Sequence, residues 1–166
     1  MNSKSGQLKL SFGMIFSIIL IIIFIAFAFY AIQKFLGVQN SVEVGKFGND
    51  FQNDVDSIWK GTQGSKQEEY LIPDKIEYVC LADLTKSRLG SFSSFYSEFE
   101  KAYYGTENLF FYPVGAAEGL DSKKIQHIDI GKTTVSENPF CVKTVNGKVS
   151  LVIKKDFGEA LVTITK

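Results

Sequence analysis

The sequence is poor in the side chains that most often carry chemistry. Its 166 residues include one histidine, His127, and two cysteines, Cys80 and Cys141. Neither a paired-histidine motif nor a CxxC motif occurs, which excludes the common ligand spacings of zinc sites. The residues around the cysteines do not resemble a cysteine hydrolase site, and the glycines at 115 and 119 match neither a phosphate-binding loop nor a dinucleotide fingerprint. We therefore expect neither an enzyme nor a cofactor.

Acidic residues are absent from the N-terminal region, where the first one is Glu43. From residue 37 onward the balance reverses, with 15 basic and 18 acidic side chains and a formal charge of −3. Proteins that bind nucleic acid usually carry an excess of basic charge. The charge pattern therefore predicts no nucleic-acid partner.

The N-terminal region contains instead a long apolar run. From Phe12 to Ile32 the chain has 21 residues without a charge. As a helix this run is about 31 Å long, close to the thickness of one hydrocarbon core. A buried helix of a soluble protein, the alternative, needs a polar face at this length, whereas this run is apolar all round. The sequence predicts a transmembrane helix over residues 12–36, with the lipid bilayer as its partner.

The flanking charges predict the orientation of this helix. Lys4 and Lys9 precede it without any acidic residue, and cytoplasmic flanks carry such an excess of basic residues. We expect residues 1–11 in the cytoplasm and the C-terminal domain outside, as in a single-pass protein of the cell membrane. A cleaved secretory signal is the alternative, because Ala26-Phe27-Ala28 fits a signal-peptidase site and would leave Phe29 as the new N-terminus.

An amphipathic pattern follows the apolar run. Apolar residues recur there at intervals of three and four, namely at Val44, Phe47, Phe51, Val55 and Ile58. This spacing predicts a helical extension over residues 37–61 with one apolar stripe, and Gly61 is well placed to end it. The stripe needs a partner, and the domain that follows is the nearest one.

Residues 62–166 are predicted to form an α+β head. After a polar loop, TQGSKQEE, the strand candidates are residues 70–72, 75–81, 108–112, 124–130, 140–145, 148–153 and 159–165. Asn146-Gly147 favours a hairpin between residues 140–145 and 148–153, and a second reversal near residues 154–158 would complete an antiparallel meander. Residues 91–104 predict a short helix with an aromatic face suited to a core. The expected fold class is α+β, in which a long N-terminal helix, first transmembrane and then amphipathic, packs on an antiparallel β-sheet.

The two cysteines form the last pattern that concerns the fold. Cys80 and Cys141 both lie in predicted strands on the side of the membrane where oxidation is possible. We predict a disulfide that joins the first sheet segment to the final meander. Two buried, reduced thiols that act as small apolar side chains are the alternative.

The N-terminus resembles the precursors of archaeal type IV pilin-like proteins, which carry a class III signal peptide. The resemblance rests on Lys4-Ser5-Gly6-Gln7 and the long apolar helix that follows. It implies that a membrane-embedded prepilin-peptidase-like enzyme cleaves between Gly6 and Gln7 and leaves the apolar helix in the mature subunit. It also implies self-association of that helix within a filament, with a β-rich head packed on its second half.

These observations lead to one main hypothesis and two alternatives. The main hypothesis is a pilin-like surface subunit, such as a minor pilin, that serves in assembly or adhesion. The first alternative is a non-polymerising, membrane-tethered binding module outside the cytoplasm. The second is an accessory subunit of a larger membrane complex.

Overall fold

A computed structural model describes residues 12–166 of the chain, which divides between Val38 and Gln39 into two compact units. We call residues 12–38 the anchor segment and residues 39–166 the C-terminal unit. The leader positions Gly6 and Gln7 lie outside the described residues, as does the rest of the predicted cytoplasmic segment 1–11.

Helix α1 (Phe12–Lys60) includes the boundary between the two units. Its N-terminal part is long and apolar enough to cross a membrane, and none of its most apolar window is buried by the protein. The predicted long N-terminal helix is confirmed, and it ends one residue before Gly61.

The second half of α1 buries the predicted apolar stripe in the C-terminal unit. Val44, Phe47, Phe51 and Val55 are all less than 4% exposed, and Ile58 packs against the same cluster. Because helical residues three and four apart share one face, this stripe forms a continuous contact surface. The helix thereby supplies one wall of the main core.

Two antiparallel sheets supply the rest of the C-terminal unit. Sheet A has the strand order β1-β6-β7, and sheet B has the order β4-β3-β2-β5. The strands are β1 (Gly64–Leu71), β2 (Tyr78–Leu81), β3 (Leu109–Tyr112), β4 (Ser122–Lys123), β5 (Phe140–Lys143), β6 (Lys148–Lys155) and β7 (Thr163–Thr165). Two short helices, α2 (Tyr96–Phe99) and α3 (Ile130–Thr133), and a 3₁₀ turn at Glu100–Ala102 connect them. The predicted α+β class is confirmed.

The two faces of sheet B contact different apolar clusters. On one face Phe111 joins the main core and lies edge-to-face on Phe47, with 5.7 Å between the ring centres. On the other face Phe110 stacks on Phe99 at 5.0 Å, beneath the segment that contains α2. Phe99 is therefore a core residue, and Phe92, Phe95 and Tyr103 pack partly buried against the same cluster, as their spacing predicts, whereas Tyr104 is 84% exposed.

The predicted hairpin of residues 140–153 is only partly correct. Asn146 and Gly147 do form a reversal with positive φ, and Val145 pairs with Lys148 across it. Beyond that single bridge the strands separate, because β5 pairs with β2 in sheet B whereas β6 pairs with β1 and β7 in sheet A. The turn chemistry specifies a local reversal, but the neighbours that bury the strands decide the pairing.

Three other local predictions are wrong. Most of the expected loop TQGSKQEE belongs to β1, whose polar residues suit a strand at the edge of a sheet. The expected strand 124–130 forms no strand: Ile128 makes a single bridge to Val162, and the last residue, Ile130, begins α3. In the expected helix 91–104, only residues 96–102 are helical and residues 91–95 form turns.

Candidate functional site

The anchor segment exposes nearly all of its apolar side chains. Phe16 and Phe24 are 54% and 68% exposed, and Phe12 and Ile32, which bound the uncharged run of the predicted transmembrane helix, are also exposed. Ser17 donates its hydroxyl to the carbonyl of Gly13 at 2.8 Å, so this polar side chain is satisfied within the helix. An apolar, exposed surface of this kind is suited to lipid or to another apolar helix.

A lysine and a tyrosine lie near the C-terminal end of the predicted span 12–36. The ammonium group of Lys34 lies 5.9 Å from the centre of the Tyr30 ring, one helical turn away. Tyrosine and lysine at the end of a membrane helix favour the interface between lipid and water. This pair fits the end of a membrane span near residue 32.

The disulfide between Cys80 and Cys141 is present in the C-terminal unit. The two residues stand directly opposite each other on β2 and β5, with their Cα atoms 4.1 Å apart. The bond therefore joins neighbouring strands of one sheet, not a first sheet segment to a final meander as expected. Both residues are buried, at 0% and 1% exposure, beside Phe99 and Phe110. The bond therefore cross-links two strands within the core.

Asp54 organises a polar contact between α1 and β1. Its carboxylate accepts hydrogen bonds from the Lys66 ammonium group at 2.7 Å and from the Tyr70 hydroxyl at 2.8 Å. Burial and the bond to Asp54 raise the pKa of the Tyr70 phenol far above its ordinary value. The hydroxyl therefore remains a donor at any physiological pH and holds the strand on the helix.

Replacing Asp54 by alanine is expected to destabilise the C-terminal unit by about 1–3 kcal/mol, because the Tyr70 hydroxyl loses its acceptor in a buried place. Lys66 keeps a second carboxylate partner, Glu68 at 3.0 Å. Urea unfolding followed by the fluorescence of Trp59, the sole tryptophan, measures the change. In a Tyr70→Phe background the same substitution should cost clearly less, and an equal cost would show that the hydroxyl plays no part.

The sole histidine has a structural position at the end of α1. The His127 ring stacks on Trp59 with 3.6 Å between ring centres, and its Nδ1 atom lies 2.8 Å from a carboxylate oxygen of Asp56. Trp59 in turn donates its indole N–H to the carbonyl of Ala160 at 3.1 Å. His127 has a positive φ of 64° and lies outside any strand, contrary to the expected strand over residues 124–130.

Asp121 and Asp129 bind backbone groups. Asp121 accepts the N–H groups of Gly115 and Ala117, and Asp129 accepts the N–H of Lys132 at the start of α3. Within residues 12–166 no group of three or more histidine, cysteine or acidic residues is arranged to hold a metal ion. The two carboxylates therefore stabilise local backbone conformation by accepting these hydrogen bonds.

Exposed apolar side chains occur at opposite ends of the C-terminal unit, where the sequence pattern did not single them out. Leu71 and Val145 are 66% and 62% exposed and flank Lys148 at the start of β6. Phe157 is 81% exposed and follows the other end of β6. No periodic pattern marks these residues. Val145 and Phe157 lie between polar or glycine residues, and Leu71 lies between the buried residues Tyr70 and Ile72.

In comparisons with known proteins, no family model, no curated protein and no solved structure matches this chain.

Proposed function

We propose that this chain is a pilin-like subunit of the cell surface, held in the membrane by the anchor segment and serving in assembly or adhesion through the C-terminal unit. The observation that carries the proposal is α1 itself. One helix of 49 residues combines an exposed, apolar N-terminal part with a C-terminal part whose stripe is built into a β-rich domain. A subunit that assembles through its membrane helix needs both properties in one element.

Self-association of the anchor segment has a physical basis. An apolar helix leaves lipid for a neighbour when close packing of side chains favours the contact. The segment offers exposed Phe, Ile and Leu side chains on all sides, so that several neighbours can surround it. Processing between Gly6 and Gln7 by a prepilin-peptidase-like enzyme would place Lys9 near the new N-terminus.

The proposed orientation places the C-terminal unit outside the cytoplasm. The basic flank of Lys4 and Lys9 supports this direction. The buried Cys80–Cys141 disulfide also supports it, since such bonds form and persist in oxidising compartments.

A membrane-tethered binding module that does not polymerise, or an accessory subunit of a membrane complex, is the second candidate. The solvent-facing side of α1 in the C-terminal unit favours it, because that side is polar. Its exposed residues include Asn49, Asp50, Asn53 and Ser57. Such a surface would not be expected to pack into the apolar interior of a filament.

The processing of the N-terminus tests the choice between these functions. We expect intact-mass measurement of the protein from isolated membranes to give a chain that begins at Gln7. Substitution of Gly6 by valine should leave the leader in place, whereas Asn2→Ala serves as the matched control and should be processed normally.

Other N-termini would contradict the pilin-like function. A chain that begins at Met1 or Asn2 would favour the tethered module, and one that begins at Phe29 would show that a signal peptidase removes the anchor. Filaments sheared from cells and visualised by electron microscopy would then distinguish a polymerising from a solitary processed subunit.

A further inference from the structure

A groove lies at the end of the C-terminal unit where β6 begins. It is lined by the nearly buried side chains of Phe47, Tyr70 and Ile72, and Leu71 stands at its rim, 66% exposed. The rings of Phe47 and Tyr70 meet edge-to-face, with 5.3 Å between their centres. The volume of the groove is about 360 Å³, near the lower limit of pockets that hold small ligands. We call it the Leu71 groove, and its size and lining suit a single apolar side chain.

An exposed aromatic side chain lies at the other end of β6. The strand runs from Lys148 to Lys155, a length of about 24 Å, and Phe157 occupies the turn that follows. Phe157 is 81% exposed, and among the large apolar side chains of the C-terminal unit only Tyr104, at 84%, is more exposed. One end of the unit therefore presents an aromatic ring, and the other end presents a groove that such a ring could fill.

The Leu71 groove carries a small excess of negative charge. Lys148 and Glu69 form an ion pair beside it and cancel each other. The charged side chains that line the rest of the groove give a net formal charge of −1, and they are Lys46, Glu43 and Asp50. The groove therefore favours a neighbour with a basic surface.

The end of the unit that presents Phe157 carries the opposite charge. Two ion pairs cancel there, Lys154 with Asp156 and Lys132 with Glu159. The charged side chains that remain beside the turn give a net formal charge of +1, and they are Lys60, Lys155 and Asp56. Opposite charges favour contact between unlike ends of two copies over contact between like ends.

We propose that Phe157 of one copy inserts into the Leu71 groove of a second copy, so that the C-terminal units join head to tail. The inference rests on the self-association part of the proposed function and names the surfaces through which the C-terminal units take part in it. The contact covers two exposed apolar side chains, Phe157 and Leu71, and adds a third ring to the pair formed by Phe47 and Tyr70.

This contact is open-ended. The ring and the groove lie a strand length apart on the same unit, so each copy can give one contact and receive another. A head-to-tail contact of this kind extends into a chain of copies unless its rotation closes a ring. One inserted side chain is far smaller than an independent interface, but copies held in one membrane meet at high effective concentration.

The test uses the full chain in isolated membranes that contain two variants, Asp156→Cys and Lys46→Cys. Both positions are exposed, one beside Phe157 and the other in the wall of the Leu71 groove. A short bis-maleimide linker joins the new cysteines when they are close, while the native cysteines remain bonded to each other. Phe157→Ser is then added to the Asp156→Cys variant, and Tyr104→Ser serves as the matched control because Tyr104 is equally exposed.

A cross-linking yield that is several-fold higher in the mixture than with either variant alone is the expected result. Phe157→Ser should lower this yield to that of the single variants, and Tyr104→Ser should leave it unchanged. A chain that carries both cysteines should give a ladder of trimers and larger species. A yield that does not depend on Phe157, or one that is as high for Asp156→Cys or Lys46→Cys alone, would overturn the head-to-tail contact.

Intact mass measured on the same membranes separates this inference from the proposed function. Chains that begin at Gln7 but give no cross-link dependent on Phe157 would overturn the contact alone. Chains that retain residues 1–6 would contradict the pilin-like function, whatever the cross-links show.

Discussion

Replacing Phe51 by alanine is expected to destabilise the C-terminal unit by about 3–5 kcal/mol, which is the usual cost of removing a buried phenylalanine. Phe51 is completely buried. Its ring lies 5.8 Å from the ring centres of both Phe47 and Tyr70, so its loss opens a cavity between α1 and sheet A. A loss of this size is comparable to the whole stability of many domains of this length.

Asn53→Ala is the matched control for this experiment. Asn53 lies two residues away on the exposed side of the same helix, where substitutions usually change stability by less than about 0.5 kcal/mol. Urea unfolding of both variants in detergent micelles can be followed by Trp59, which is packed on His127 within the unit. Similar midpoints for the two variants would mean that the stripe does not form the core.

Breaking the Cys80–Cys141 bond is expected to cost about 4 kcal/mol, since the bond closes a loop with a sequence separation of 61 residues. The cost arises because the bond removes chain entropy from the unfolded state. Cys80→Ala and Cys141→Ala each break the same bond. The double variant should therefore cost only slightly more than either single variant.

Reduction provides an independent measurement of the disulfide. Because both cysteines are buried, a thiol reductant should change the mass and gel mobility of the native protein slowly and those of the urea-unfolded protein quickly. If free thiols are alkylated during native isolation and reduction then changes neither the mass nor the gel mobility of the protein, the bond would be contradicted. Additive costs of the two single variants would show that the cysteines stabilise the fold independently.

The helical part of the fold could be predicted closely from the sequence. The stripe residues Val44, Phe47, Phe51 and Val55 are buried together with Gly48, and the helix stops beside Gly61. The signal is strong because helix geometry is local, so that a spacing of three and four residues places side chains on one face wherever the helix packs. The aromatic residues of 91–104 were predicted as core for the same reason, although their helix is shorter than expected.

The sheets could not be predicted to the same degree. Residues 140–153 carry a turn signal that is correct, yet β5 and β6 belong to different sheets. Strand β1 resembles a polar loop because the residues that it turns toward α1 are Lys66, Glu68 and Tyr70. Two of these polar side chains, Lys66 and Tyr70, donate hydrogen bonds to Asp54 of α1. Asp54 lies 12 and 16 residues before these two side chains, so a pattern within one segment does not reveal it as their partner.

The candidate surfaces also differ in whether the sequence alone could predict them. The apolar run from Phe12 to Ile32 predicts the exposed, apolar part of α1 directly, whereas Leu71, Lys148 and Val145 become neighbours only through strand pairing. The cysteines were predicted as a pair because only two exist, but their register across β2 and β5 was not.

The sequence by itself determined that this protein has one apolar stretch long enough to span a lipid bilayer, one amphipathic helical face, and one pair of cysteines, which allows a single disulfide pairing. Each of these depends on composition or on spacing within a single segment. Only the tertiary structure decided which strands share a sheet, which face of each sheet is buried, and which exposed side chains become neighbours. Those properties arise from contacts between residues far apart in the chain, where burial and hydrogen bonding outweigh local preference.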